Sequence, residues 1–169
     1  MKRLERLEPL ERLELSASAW RLIRSARVAH FATADKSGRP HVIPICFVFD
    51  GRQFFSPIDE KPKRTSPTKL KRLKNIAENP NVALIADRYD EDWRKLAYVL
   101  CVGRAHILLS GKVHRHAVKL LRKKYPQYRR MAIDERPMIV VTPVKMTAWA
   151  MSGQSKIEKR LRRRKSKIS

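Results

Sequence analysis

The sequence predicts a mainly β chain: a small antiparallel barrel carrying few helices. Three observations point there. Apolar runs of strand length recur between residues 28 and 151, and only three segments show helical spacing. Two turn signals, KSGR at 36–39 and DGR at 50–52, separate neighbouring runs closely enough for hairpins. Short strands joined this way, with so few helices, suit a barrel better than a helix-covered parallel sheet.

The elements follow in order. SASAWRLIRSAR (16–27) opens on a serine that can cap a helix and places Trp20, Leu22 and Ile23 at helical spacing. VAHFATAD (28–35) predicts a strand and KSGR a tight turn. PHVIPICFVFD (40–50) predicts a second strand. Pro44 puts that strand at an edge or a bulge, because proline cannot donate to a central ladder. DGR is a hairpin signal and QFFSPI (53–58) the returning strand, so residues 28–58 read as a three-strand antiparallel meander. In DEKPKRTSPTKLKRLKNIAENPN (59–81), Thr65, Ser66 and Thr68 surround Pro67 at a helix start, and Leu70, Leu73, Ile76 and Ala77 form the apolar stripe. Two strands follow, around 82–88 and 95–109. A helix at 110–128 places Val113, Ala117, Leu120 and Leu121 on one face. MIVVTPVKMTAWAM (138–151) is the last strand.

The chain divides into a charged leader (1–15), a barrel domain (16–153) and a basic tail (154–169). The leader repeats LERLE at 4–8 and 10–14, with Pro9 between, and is assigned no function. The formal net charge is +23, from 39 Lys and Arg against 16 Asp and Glu. Such an excess implies an anionic partner: nucleic acid, a phosphorylated small molecule or an anionic surface. The tail reads either as a solvated segment or as a nonspecific nucleic-acid contact through residues 155–169. Cys46 and Cys101 both lie in apolar runs without a CxxC, which suits buried free thiols in a reducing compartment. No apolar run reaches membrane-spanning length and the N-terminus lacks a signal-peptide core, so a cytoplasmic location is expected.

The chemistry-bearing residues exclude several enzyme classes. His30, His41 and His106 fall on predicted strands, and His114 and His116 stand two apart on a helix, facing different ways. There is no HExxH, no GxSxG, no GxGxxG and no GxxxxGK[ST]. That argues against a metal hydrolase, a triad hydrolase and a P-loop enzyme, and no metal site is expected. What remains is a cationic segment at a helix start. Lys61, Lys63, Arg64, Thr65, Ser66, Thr68, Lys69, Lys71, Arg72 and Lys74 fall within fourteen positions. Cations and hydroxyls beside free helical N–H groups can bind phosphate; the alternative is a solvated basic face. A second feature is DRYDEDWRK (87–95), an acidic connection holding Tyr89 and Trp93 in a very basic chain. It reads either as a cover over the barrel end or as the rim of a ring-binding cleft.

Three stretches carry a family resemblance: RVAHFATADKSGRPHVIPICFVFDG, KLKRLKNIAENPNVALIADRYDEDWRKLAYVLCVGRAHI and LLRKKYPQY, with NPNVALIADRYDEDW the most specific part. Over residues 16–151 the chain resembles the pyridoxamine 5′-phosphate oxidase-like split-barrel flavin and deazaflavin oxidoreductases. Within them it is similar to the coenzyme F-420-dependent subgroup. The resemblance implies a six-stranded antiparallel split β-barrel of the FMN-binding kind. It also implies a homodimer with a cofactor cleft between subunits, and hydride transfer between coenzyme F-420 (a deazaflavin) or FMN and a small organic substrate. Carried onto this sequence, Ser56, Lys61, Arg72 and Lys74 would hold the cofactor phosphate, with Lys69 and Lys71 as further candidates. The ring would lie near Ile43, Pro44, Ile45 and Ser56, and Trp149 would approach it from the partner chain. No catalytic acid is assigned; Tyr89 and His41 are equal candidates for a proton donor. The competing readings are a non-catalytic barrel that binds nucleic acid through its tail and a carrier of flavin or haem.

Overall fold

The second predicted strand is not one strand, and its break organises the fold. In the computed structural model, residues 15–59 and 70–151 are described. Helix α1 (Ala17–Ser25) is capped by Ser16, whose Oγ accepts the Ala19 N–H at 3.2 Å. Strands β1 (Ala29–Ala34) and β2 (Pro40–Ile45) form a hairpin in register from Ala29 opposite Ile45 to Ala34 opposite Pro40. The chain then leaves this ladder at Cys46 and Phe47. Strands β3 (Val48–Phe49) and β4 (Phe54–Pro57) form a second hairpin. Its turn is closed by Asp50, whose Oδ1 accepts the N–H groups of Arg52 and Gln53 at 2.8 Å each, while Gly51 takes a φ of +105°.

Helix α2 (Lys71–Glu78), strand β5 (Asn81–Arg88), strand β6 (Ala97–Leu108), helix α3 (Lys112–Lys124) and strand β7 (Met138–Ala150) complete the sequence of main elements. All strands join one antiparallel sheet in the order β2-β1-β5-β6-β7-β4-β3. Consecutive strands β2 and β3 therefore sit at opposite edges, and the sheet curls on itself as a split barrel. Two expectations need correction. Residues 28–58 make two separate hairpins rather than a meander, and the strands number seven rather than six because the 40–50 run divides in two. Pro44 does lie on an edge strand, as its missing N–H requires.

The physical reason for the break is a tyrosine 78 residues further on. The Tyr125 hydroxyl accepts the Phe47 N–H at 3.0 Å and lies 2.9 Å from the Phe47 carbonyl and 2.8 Å from the Arg27 carbonyl, to either of which it can donate. It supplies the buried backbone of Phe47 with partners that a continuous ladder would have given. Burial pushes the Tyr125 hydroxyl up to about 12, so it keeps its proton across the physiological range.

The core has two parts. On the inner face, Phe31, Leu84, Val99 and Ile139 pack with Leu22 and Ile23 of α1 and Leu73 and Ile76 of α2. Beside it, Val48, Phe55, Met138 and Val140 pack with Ala117, Val118 and Leu121 of α3 and with Tyr125 and Tyr128. Where β6 bulges between Val102 and Gly103, a Cβ on Gly103 would stand 2.5 Å from the Thr142 carbonyl oxygen, so only glycine lets these strands approach. The outer face of the sheet is apolar and uncovered: Val42 and Val144 are 58% and 62% exposed, with Pro44 and Val102 also exposed.

Tyr125→Phe leaves the Phe47 N–H buried without its partner, which costs about 1–3 kcal/mol. The expected result is a lower urea midpoint at unchanged m-value. An unchanged midpoint would mean that packing alone holds the break.

Candidate functional site

The cations of α2 are the described part of the predicted phosphate grip, and the chain treats the three differently. Lys71 is committed internally: its Nζ donates to Asp35 Oδ2 at 3.1 Å. Asp35 ends the first strand almost fully buried and also accepts from the Ser37 N–H (3.0 Å), the Arg39 N–H (3.1 Å) and Arg39 Nε (2.9 Å). Burial works to raise the Asp35 pKa, but these hydrogen bonds, led by that of Lys71, outweigh it and hold the carboxyl far below its usual range. The cluster clamps α2 to the β1–β2 turn. Lys74 is exposed and only loosely paired, 3.9 Å from Glu78 one turn on.

Arg72 is half-buried. Burial lowers its pKa, against which the charge of Asp59 raises it only in part. Asp59 is itself buried and accepts the Tyr128 hydroxyl at 3.1 Å. A guanidinium in this position is charged, incompletely neutralised and equipped with planar donors for phosphate. Ser56 on β4 is buried and, by strand alternation with Phe54, points to the core side that α2 covers. Lys61 and Lys69, with the TSPT helix start, lie outside the described residues. Helix α2 begins at Lys71 with Leu70 at its cap and no side-chain capping bond.

The predicted ring-facing residues divide by alternation. Ile43 and Ile45 turn inward, Ile45 into the core, whereas Pro44 stands on the outer face opposite His30. Trp149 is also on the outer face. Its ring stacks on Tyr98, its cross-strand partner, with centroids 5.8 Å apart and planes 19° apart. The pair forms one wall of a cleft of about 340 Å³ that Ile85, His30, Asp87 and Tyr89 also line. His30 Nδ1 lies 3.7 Å from Asp87 Oδ1. This cleft and the α2 cations occupy opposite faces of the sheet and opposite ends of β1. His30 to Asp35 spans five residues, about 16 Å at strand rise.

The acids of the β5–β6 connection answer their own neighbours. Asp92 takes two bonds from Arg94, at 2.8 and 3.1 Å, and caps the 3-10 turn Trp93–Lys95 through the Arg94 N–H. Lys95 lies 3.5 Å from Asp90, and Arg88 Nε donates to the Lys95 carbonyl at 2.8 Å. The loop is thus an internally neutralised brace. Of its two aromatics, Tyr89 lines the cleft and Trp93, 65% exposed, is not among the lining residues. Sequence reading missed Tyr98, His30, Ile85 and Asp87. Alternation places Tyr98 and Trp149 outward, but their pairing depends on a register that no local signal sets. His41, the other histidine considered as a proton donor, is on β2 opposite Thr33, away from this cleft.

Residues 16–150 match the family described as pyridoxamine 5′-phosphate oxidase, and the chain belongs to that family. No curated protein matches it by sequence. Among solved structures, a conserved hypothetical protein of Mycobacterium tuberculosis is similar at TM-score 0.64 and 17% identity, covering 86% of this chain and 91% of that one. The haem storage protein HutZ of Vibrio cholerae is similar at TM-score 0.64 and 14% identity, covering 82% and 94%. A protein described as an F-420 reductase is similar at TM-score 0.57 and 22% identity, covering 79% and 98%. At these identities the likeness is one of fold, and it agrees with the split barrel.

The Asp35 cluster makes acid stability testable. The unfolded carboxyl takes up its proton near pH 3.8, whereas the folded one does so only at much lower pH. The stabilisation is therefore complete above the carboxylate range and is lost as pH falls below it. Asp35→Asn should lower the urea midpoint at pH 7 and flatten the decline between pH 5 and about 2.5. Parallel wild-type and variant curves would contradict the charge-based clamp.

Proposed function

We propose that this protein is a dimeric oxidoreductase that transfers a hydride between bound coenzyme F-420 or FMN and a small organic substrate. The observation that carries the reading is Arg72: a half-buried guanidinium, short of counter-charge, beside the buried hydroxyl-bearing strand β4. A phosphate ester completes that charge balance, so the residues present fit the phosphate end of either cofactor. In this reading Arg72, Lys74 and Ser56 hold the phosphate, and Lys61 and Lys69 join them. Lys71 positions α2 through Asp35. Ile43, Pro44 and Ile45 offer backbone groups and apolar surface to the ring, and Trp149 reaches it from the partner subunit.

Either cofactor, when bound, supplies the hydride chemistry; the chain supplies position, electrostatics and exclusion of water. The dimer is supported by the uncovered outer face, where Val42, Pro44, Val102 and Val144 would be buried by a second copy. Family membership and the F-420 reductase among similar folds support a flavin-type cofactor. The surplus of Lys and Arg suits the acidic tail of the deazaflavin. Unpaired Cys46 and Cys101 suit a reducing cytoplasm, and no helix among the described residues is long and apolar enough to cross a membrane. Residues 1–15 and 154–169 are read as a leader and a basic tail flanking the barrel domain 16–153, with the tail an accessory contact for nucleic acid. The second reading, a non-catalytic carrier, is favoured by the haem storage protein among the similar folds.

Titrating dialysed protein with FMN and with the deazaflavin, followed by ligand fluorescence at physiological salt, tests the reading. Saturable binding of one of them is expected, with Arg72→Ala weakening it at least about tenfold, the scale of a lost charge-assisted bond. Binding of neither, with haem bound instead, would establish the carrier reading. Binding of neither cofactor nor haem, with nucleic acid retained until residues 155–169 are removed, would establish the nucleic-acid reading.

A further inference from the structure

The outer-face cleft carries more than a wall for a cofactor ring. Its sides are apolar and aromatic, from Ile85, Tyr98, Trp149 and Tyr89, and its one polar corner is the His30–Asp87 pair. The Tyr98–Trp149 stack presents a flat surface of fixed direction, because both rings stand on paired strands rather than on loops. Asp87 faces Nδ1 of His30 and leaves Nε2 as the nitrogen available to a ligand. Arg88 is tied back to the Lys95 carbonyl and gives the corner no comparable donor. A surface of this kind discriminates by shape on one side and by a single edge contact on the other.

We propose that this cleft is the substrate subsite, and that it takes a planar, conjugated fused-ring compound bearing a carbonyl at one edge. The ring lies against Tyr98 and Trp149, and the edge oxygen accepts a hydrogen bond from His30. Asp87 positions the imidazole. The proposal rests on the oxidoreductase reading for the word substrate, but binding itself does not require a loaded cofactor. It also accounts for the exposure of aromatic and apolar groups around a histidine–carboxylate pair, which the phosphate grip on the other face leaves unexplained.

The test is equilibrium dialysis of the full chain against 2,3-dimethyl-1,4-naphthoquinone, whose substituted ring carbons prevent addition to Cys46, with naphthalene as the carbonyl-free control. The expected result is saturable quinone binding. It should weaken about five- to tenfold in His30→Ala and about tenfold in Tyr98→Leu, the ranges for a lost hydrogen bond and a lost aromatic contact. Naphthalene should bind more weakly and equally to wild type and His30→Ala, since the lost edge contact cannot be lost twice. Arg72→Ala should bind quinone as wild type does. Should Tyr98→Leu fail to fold, Trp149→Phe replaces it, with a smaller loss expected. Non-saturable uptake by wild type, or equal quinone affinity in wild type and His30→Ala, would overturn the assignment. If the quinone discriminates but neither cofactor binds, the cleft stands and the oxidoreductase reading falls. If a cofactor binds and the quinone does not, the cleft assignment falls alone.

Discussion

One buried hydroxyl decides how this chain is built. The Tyr125 oxygen meets the N–H and carbonyl of Phe47 and the carbonyl of Arg27, at the point where the second apolar run leaves the β1 ladder. Without such a partner, a continuous strand is the cheaper way to satisfy those groups. With it, β2 ends one edge of the sheet and β3 begins the other, seven strands curl into a split barrel, and the core divides into two clusters. The same residue ties the end of α1 to the end of α3, so one side chain holds the break and the two elements that cover it.

The split has a consequence for function. A sheet curled this way has a covered inner face, where α2 packs, and an uncovered outer face that remains apolar. The Arg72 cation is on the first and the Tyr98–Trp149 stack on the second, at the other end of β1. A ligand with a phosphate at one end and a ring at the other cannot use both within a single copy of the chain. In the proposed dimer, the two halves of the site belong to different subunits, and pairing the outer faces both buries the apolar surface and joins the halves. The further consequence is that residues outside either half act by placement. Asp35 and Lys71 fix α2, and the Asp92–Arg94 brace fixes the loop from which Tyr89 projects.

Much of this architecture is legible in the sequence, and the gaps have physical causes. Local signals suffice for the helices, for both hairpin turns and for the long last strands, because capping, turn chemistry and alternation act over a few residues. Pro44 announces its edge correctly. The break at Cys46–Phe47 is invisible because those residues are apolar and the group that satisfies them is distant in sequence. The acids at 87–92 read as a contrast to the basic side, whereas Arg94 and Lys95 neutralise two of them within the loop. Trp149 is singled out by resemblance alone. Its partner Tyr98, and the His30–Asp87 corner beside them, emerge only from the register of four paired strands. A cluster assembled from three or four strands has no signature in any one of them.

The most direct test of the shared site is subunit complementation. Arg72→Ala should disable the phosphate end and Trp149→Leu the ring end, each reducing binding of the preferred cofactor as a homodimer. Mixing the two by unfolding and refolding together gives half heterodimers, each with one intact composite site, so about a quarter of wild-type binding capacity should return. Recovery to that level is the predicted result. No recovery, with heterodimers shown to form, would place both ends of the site within one subunit and contradict the shared site.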